Sequence, residues 1–159
     1  MKANNFKILL GLELDNEIDI ISNLVFTPIV IDDSIAIENA LKNRSDLLNK
    51  ENIKFICLAG FMKILSKNFI KRFGGKIINI HPSLLPKYKG LNTHIKAIQN
   101  KDKVAGCTVH FVTAKLDSGK IILQKEVKIS KKETPTSLAK KVLRQEHKLY
   151  PTAIKKIFN

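Results

Sequence analysis

The sequence has no tryptophan, only two cysteines and few acidic residues, and each scarcity narrows what the chain can be. Two cysteines, Cys57 and Cys107, cannot build a disulfide-stapled scaffold. Both lie in apolar, strand-like runs and read as small core residues in a reducing, cytoplasmic compartment. Long apolar stretches are also missing. The run Ile8-Leu9-Leu10 is soon followed by Glu13, Asp15 and Glu17, so it reads as neither a signal peptide nor a membrane span. The four histidines (His81, His94, His110, His147) have no paired spacing with cysteines or carboxylates that suggests a zinc site, so no metal is expected. The 14 Asp and Glu residues face 28 Lys and Arg, and the net charge of +14 favours anionic partners such as phosphate ligands. The lysines are scattered, however, and no RNA-binding aromatic signature accompanies them, so composition outweighs a nucleic-acid role.

What is present fits one globular domain: 159 residues, 44% apolar and 26% charged. Residues 1–23 are ambiguous, with helical spacing at Leu14, Ile18 and Ile21. The run from Leu24 to Ile31 reads as a strand made irregular by Pro28, and Ile35 to Asn49 as a helix behind Ser34. Lys54 to Gly60 is a short continuous apolar run, as in a strand covered on both faces. Ser66 caps a helix through Phe69, Ile70 and Phe73, stopped by Gly74 and Gly75. A strand from Lys76 to His81 follows. Alternating strands and helices predict an open parallel α/β sheet. Thr93 to Asn100 is a short helix with Ile95 and Ile98 inward. Cys107 to Thr113 and Lys120 to Ile129 form a hairpin-like pair around Leu116-Asp117-Ser118-Gly119, which makes the sheet mixed. On the second strand Ile121, Leu123, Lys125, Val127 and Ile129 share a face. Thr134 and Pro135 start the last helix, with Leu138, Val142 and Leu149 buried, and Pro151 kinks it or begins a new segment.

The chemistry concentrates at Asn79-Ile80-His81-Pro82. Alternate side chains of a strand share a face, so Asn79 and His81 project together at a strand's carboxyl end. Open α/β sheets bind ligands at such ends. An amide N–H can stabilise an oxyanion, and an imidazole can move a proton near neutral pH. A lone histidine at a strand end is more often structural, and position in the sheet brings the two readings level.

Four motifs in one order then resemble a family: Leu58-Ala59-Gly60-Phe61-Met62-Lys63-Ile64-Leu65-Ser66, Asn79-Ile80-His81-Pro82-Ser83-Leu84-Leu85-Pro86, His110-Phe111-Val112-Thr113 with Leu116-Asp117-Ser118-Gly119, and Gln145-Glu146-His147 with Tyr150-Pro151. From about Ile53 onward the chain resembles the folate-dependent glycinamide ribonucleotide formyltransferases. The resemblance implies a Rossmann-like formyltransferase fold with an open, mostly parallel, mixed sheet flanked by helices. It implies transfer of a formyl group from 10-formyltetrahydrofolate to the amine of glycinamide ribonucleotide, in purine synthesis. Asn79, His81 and Asp117 match the family's catalytic residues. Met62, Lys63, Ile64, Leu65, Asn79, Thr113, Ala114, Lys115, Leu116 and Asp117 match positions that hold folate. Glu146 matches the residue at the ribose, and Pro82 the wall between the substrates.

Related families fit less well. Formyltetrahydrofolate hydrolases have a second His after the catalytic one, where Pro82 stands here. Methionyl-tRNA formyltransferases continue with Arg-Gly, where Lys89-Gly90 stands. The family's glycine-rich phosphate loop has no counterpart, and Gly11 is a lone glycine. The expectation is therefore a single catalytic domain over residues 1–159, shortened at its N-terminus by the first βαβ portion. Lys87 and Lys89 are the cations nearest the motif. Against an active transferase stand a truncated folate-binding remnant and a hydrolase. The sequence leaves the oligomeric state open.

Overall fold

The structure, a computed structural model, describes residues 7–10, 29–30, 55–61, 64–73 and 75–158. The helices expected around Leu14 and from Ile35, and most of the strand from Leu24, lie outside these residues. So do Met62, Lys63 and Gly74. The chain divides into two compact units, residues 1–78 and 79–159.

In the first unit, strands β1 (Lys7–Leu10), β2 (Ile29–Val30) and β3 (Ile56–Ala59) precede helix α1 (Lys67–Arg72) and strand β4 (Ile77–His81). The strand order is β2-β1-β3-β4, and β1 is parallel to both β2 and β3. The apolar run at Ile8 is thus a strand, paired on both sides. Phe55, Ile56, Cys57 and Leu58 are all buried, as a strand covered on both faces requires. Ser66 caps α1 by accepting the Phe69 N–H at 3.2 Å. Gly75, at φ +73°, takes the left-handed conformation that turns the chain towards β4.

β4 crosses the division, and its last three residues begin the second unit. Helix α2 (Thr93–Gln99), strands β5 (Val104–Phe111) and β6 (Ile121–Lys128), and helix α3 (Pro135–Phe158) complete that unit. The strand order runs β4-β5-β6, and β5 pairs with β6 antiparallel, so the fold is α/β with a mixed sheet, as expected. The apolar faces of β5 and α3 supply the core: Cys107, Val109, Leu138, Val142 and Ala153 are fully enclosed. Both cysteines are free and buried.

Three local expectations need correction. In α2 the buried residues are Thr93 and Ala97, while Ile95 is 42% exposed; the i, i+4 pair faces inward and its small alanine permits close packing. On β6, Val109 pairs with Leu123 but His110 pairs with Ile121. This bulge adds one residue, breaks the alternation, and takes Ile121 out of phase with Leu123. The third concerns only the alternative of a new segment at Pro151, which instead lies within one continuous helix. It has no N–H for the carbonyl four residues back. The Thr152 hydroxyl donates to the neighbouring Lys148 carbonyl at 2.9 Å, and Leu149, Ala153 and Ile154 are anchored in the core. Thr134 caps α3 as expected, accepting the Ser137 N–H at 3.1 Å. Among the described residues, no helix is long and apolar enough to cross a membrane.

Two outcomes follow from this packing. A Cβ at Gly106 would stand 2.1 Å from the Lys125 carbonyl oxygen and 2.7 Å from Leu84 Cδ2. Gly106→Ala is expected to cost about 3 kcal/mol in denaturant unfolding. Lys141, Ser137 and the Ser130 amide hold the Glu133 carboxyl down at about 2. A depressed carboxyl stabilises fully above its unfolded value and loses this as pH falls through its folded one. The stability advantage of the wild type over Glu133→Gln is therefore expected above about pH 4.5 and gone near pH 2.

Candidate active site

β4 delivers His81 to the sheet's end, and Pro82, having no N–H to donate, turns the chain out of the ladder. The loop returns so that the Tyr88 carbonyl meets His81 Nε2 at 2.9 Å. Since a carbonyl can only accept, Nε2 carries the proton. Nδ1 faces Asp117 Oδ2 at 3.5 Å, an ion-pair distance longer than a hydrogen bond. Both side chains are largely buried.

Asp117 sits in the turn joining β5 to β6, at φ +42°. Asp tolerates this conformation better than most residues. Gly119 lets the turn close, because a Cβ there would lie 1.7 Å from the Phe111 carbonyl oxygen. The Gly90 amide donates to Asp117 Oδ2 at 2.8 Å, so loop and turn are tied directly together. Asp117 Oδ1 faces a second imidazole, with His110 Nε2 at 3.7 Å. His110 Nδ1 donates to the Phe111 carbonyl at 2.8 Å. Burial pulls the His110 pKa down, against the opposing pull of the Phe111 carbonyl and Asp117, and His81 adds to the lowering. The neutral ring therefore presents an acceptor lone pair at Nε2.

Among the described residues, three buried polar atoms here have no hydrogen-bond partner: Asn79 Oδ1, His94 Nδ1 and His110 Nε2. Buried polar atoms are rarely left so, and at a strand end they mark where a ligand's polar groups can be received. His94, on α2, is shifted down by burial and then by His81. The site is thus three imidazoles, an amide and one carboxylate, all within the second unit.

The expected residues separate on this geometry. His81 and Asp117 meet, and Asn79 lies two residues from His81 on the same strand. Thr113, Ala114, Lys115 and Leu116 form the exposed arm of the Asp117 turn, closed by Thr113 Oγ1 donating to the Lys115 carbonyl at 3.1 Å. Pro82 is half-buried at the loop's start. Ile64, 82% exposed, and Leu65, buried, belong to the first unit. Glu146 stands apart on α3. Its charge bears on Cys107, whose thiol is pushed up to about 12, chiefly by burial. Cys107 and Thr108 are successive strand residues, so they point to opposite faces of β5. Lys87 is engaged by Asp102 at 3.0 Å, and Lys89 donates to the Ser118 hydroxyl. His110 was missed as a site residue. Its one signal was strand parity, which puts it on the face of Thr108, next to the Asp117 turn.

A buried carboxylate, a shared imidazole and a free amide suit transfer at a carbonyl carbon. Residues 25–154 match the formyl transferase family, and the chain belongs to that family. Among its relatives is the phosphoribosylglycinamide formyltransferase of Haemophilus influenzae, 47% identical over 110 residues, which are 69% of this chain and 52% of that protein. The chain thus spans about half the length of that curated relative. The phosphoribosylglycinamide formyltransferase structure from Brucella melitensis is 40% identical, with a TM-score of 0.72, over 84% of this chain and 69% of that one. The one from Campylobacter jejuni is 25% identical, with a TM-score of 0.77, over 99% of this chain and 100% of that one.

Burial raises the half-exposed Glu146 carboxyl to about 7. A raised carboxyl binds its proton more tightly when folded, so stability is greatest below the unfolded value and falls as pH rises towards the folded one. Glu146→Gln is expected to match the wild type below about pH 4.5 and to exceed it above pH 7. Discounted for solvent screening, the gain in thermal or denaturant unfolding is about 1 kcal/mol.

Proposed function

We propose that the chain transfers the formyl group of 10-formyltetrahydrofolate to the amine of glycinamide ribonucleotide. The observation that carries this reading is the buried His81–Asp117 pair beside the unpartnered amide oxygen of Asn79. Family membership and the names of the relatives supply the substrates.

Each group then has a task. The amine lone pair attacks the formyl carbon, a C–N bond forms, and the carbonyl electrons move to oxygen. Asn79 Nδ2 donates to that oxyanion, while Oδ1, the unpartnered acceptor, receives an N–H of the attacking amine. His81 Nε2 is fixed by Tyr88, which leaves Nδ1 facing the reacting centre. Nδ1 lies 3.5 Å from Asp117, beyond a normal hydrogen bond, so a proton carried there is free to reach the oxyanion. The bond from the formyl carbon to the folate nitrogen breaks next, and its electron pair stays on that nitrogen. His81 gives it a proton. Asp117 accepts the proton shed by the new amide nitrogen and passes it to His81, which restores the starting state. His110 Nε2 faces the other oxygen of Asp117 without a hydrogen bond to it.

By family resemblance, Met62, Lys63, Ile64, Leu65 and residues 113–117 are kept as folate-binding positions. Glu146, protonating near neutral pH, is assigned to the ribose hydroxyls. Pro82 forms the wall of the amine site. The lysine-rich surface, with a net charge of +14, complements the substrate phosphate.

The test is tetrahydrofolate release by the purified chain, with and without the amine substrate. Release is expected to require the amine. It should fall about 10²- to 10³-fold in Asn79→Ala, and about 10²- to 10⁴-fold in His81→Ala and Asp117→Asn. Amine-independent release would make the protein a hydrolase. Folate binding without release would make it a binding remnant.

A further inference from the structure

The loop that fixes the His81 ring is itself stapled to the hairpin by one buried hydroxyl and one amide. Thr108 is fully buried on β5. Its Oγ1 donates to the Ser83 carbonyl at 2.6 Å and accepts the Leu85 N–H at 3.0 Å. It also accepts Gln124 Nε2 at 2.9 Å. One donor and two acceptor sites are the whole capacity of a hydroxyl, so Thr108 is saturated. Gln124, on the edge strand β6, uses the same Nε2 to reach the Leu85 carbonyl at 2.8 Å. Both polar groups of the Leu85 backbone are therefore held by side chains from the hairpin.

That staple is continued through the loop by further hydrogen bonds. The Ser83 hydroxyl donates to the Lys87 carbonyl at 2.6 Å, and the Lys87 amide donates to the Leu84 carbonyl at 3.0 Å. The next residue is Tyr88, whose carbonyl holds His81 Nε2. Leu84 also packs over Gly106, where the bare backbone leaves just enough space.

We infer that Thr108 and Gln124 are positioning residues for His81, acting through the loop of residues 83–88. The inference rests on His81 being the reacting imidazole. Neither side chain hydrogen-bonds the ring. They set the place of the carbonyl that fixes which nitrogen is protonated and where the other one points. A displacement of about 1 Å at a reacting group can cost about 10²-fold in rate. The loop has a second anchor, the Tyr88 hydroxyl donating to Asp102 Oδ2 at 2.8 Å, and this supplies the comparison.

The experiment is nitrogen-detected NMR of the His81 Nε2–H in the full chain, assigned by its loss in His81→Asn. It is paired with steady-state kinetics of Thr108→Val, Gln124→Leu, Thr108→Ser and Tyr88→Phe. The Nε2–H signal is expected in the wild type and in Thr108→Ser, and expected to broaden or vanish by fast solvent exchange in Thr108→Val and Gln124→Leu. In those two variants kcat should fall about 10- to 100-fold while both KM values stay within about 2-fold. Rescue by serine ties the effect to the hydroxyl. If Thr108→Val does not fold, Gln124→Leu, altered at an exposed edge, decides alone. Retention of the signal and of kcat in folded Gln124→Leu would overturn the inference, as would their loss in Tyr88→Phe alone. Absence of transfer in the wild type would count against the proposed function, while the NMR signal would still decide the positioning.

Discussion

Everything at this site depends on how one carboxylate is shared. Asp117 offers two oxygens. One is taken by the Gly90 amide and faces His81, and the other faces His110. A buried carboxylate is costly unless charge or hydrogen bonds compensate it. Here the compensation comes from two chain segments that are distant in sequence, the end of β4 and the loop at Gly90. The same ion therefore ties the loop at Gly90 to the hairpin turn and places its charge beside His81.

The fold supplies this arrangement by ordinary means. A covered strand carries His81 into a buried position, and the proline after it ends the ladder. The antiparallel hairpin brings the Asp117 turn back over the same end, which a purely parallel sheet could not do with so short a connection. The bulge at His110 and the bare backbone at Gly106 and Gly119 let the loop and turn approach closely. Glu146 is held differently. It lies on the long last helix, and its proton affinity is set by burial alone.

Local signals carried much of this in the sequence. Ser66 and Thr134 are caps, the run at Phe55 is a covered strand, and the Asp-Ser-Gly turn returns the chain as a hairpin, because each depends on neighbours within a few residues. The proposed catalytic set at Asn79, His81 and Asp117 came from family motifs, and the side chains of His81 and Asp117 do meet. What was illegible depends on contacts across the fold. The bulge that shifts Ile121 has no sequence mark. The exposure of Ile95 follows from which face of a two-turn helix meets the sheet, and periodicity over seven residues cannot fix that. His110 looked like a strand residue because nothing local shows that a carboxylate seven positions later folds back upon it. The strand at Ile8 was hidden by its shortness beside a helical pattern that starts at Leu14.

The most direct measurement follows the formyl carbon itself. The chain would be supplied with 10-formyltetrahydrofolate carrying an isotopic label in the formyl group, together with glycinamide ribonucleotide, and the products separated by mass. The account predicts that the label appears on the ribonucleotide amine, and that it does so only while His81 and Asp117 are both present. Label recovered as free formate, or left on the folate, would contradict it.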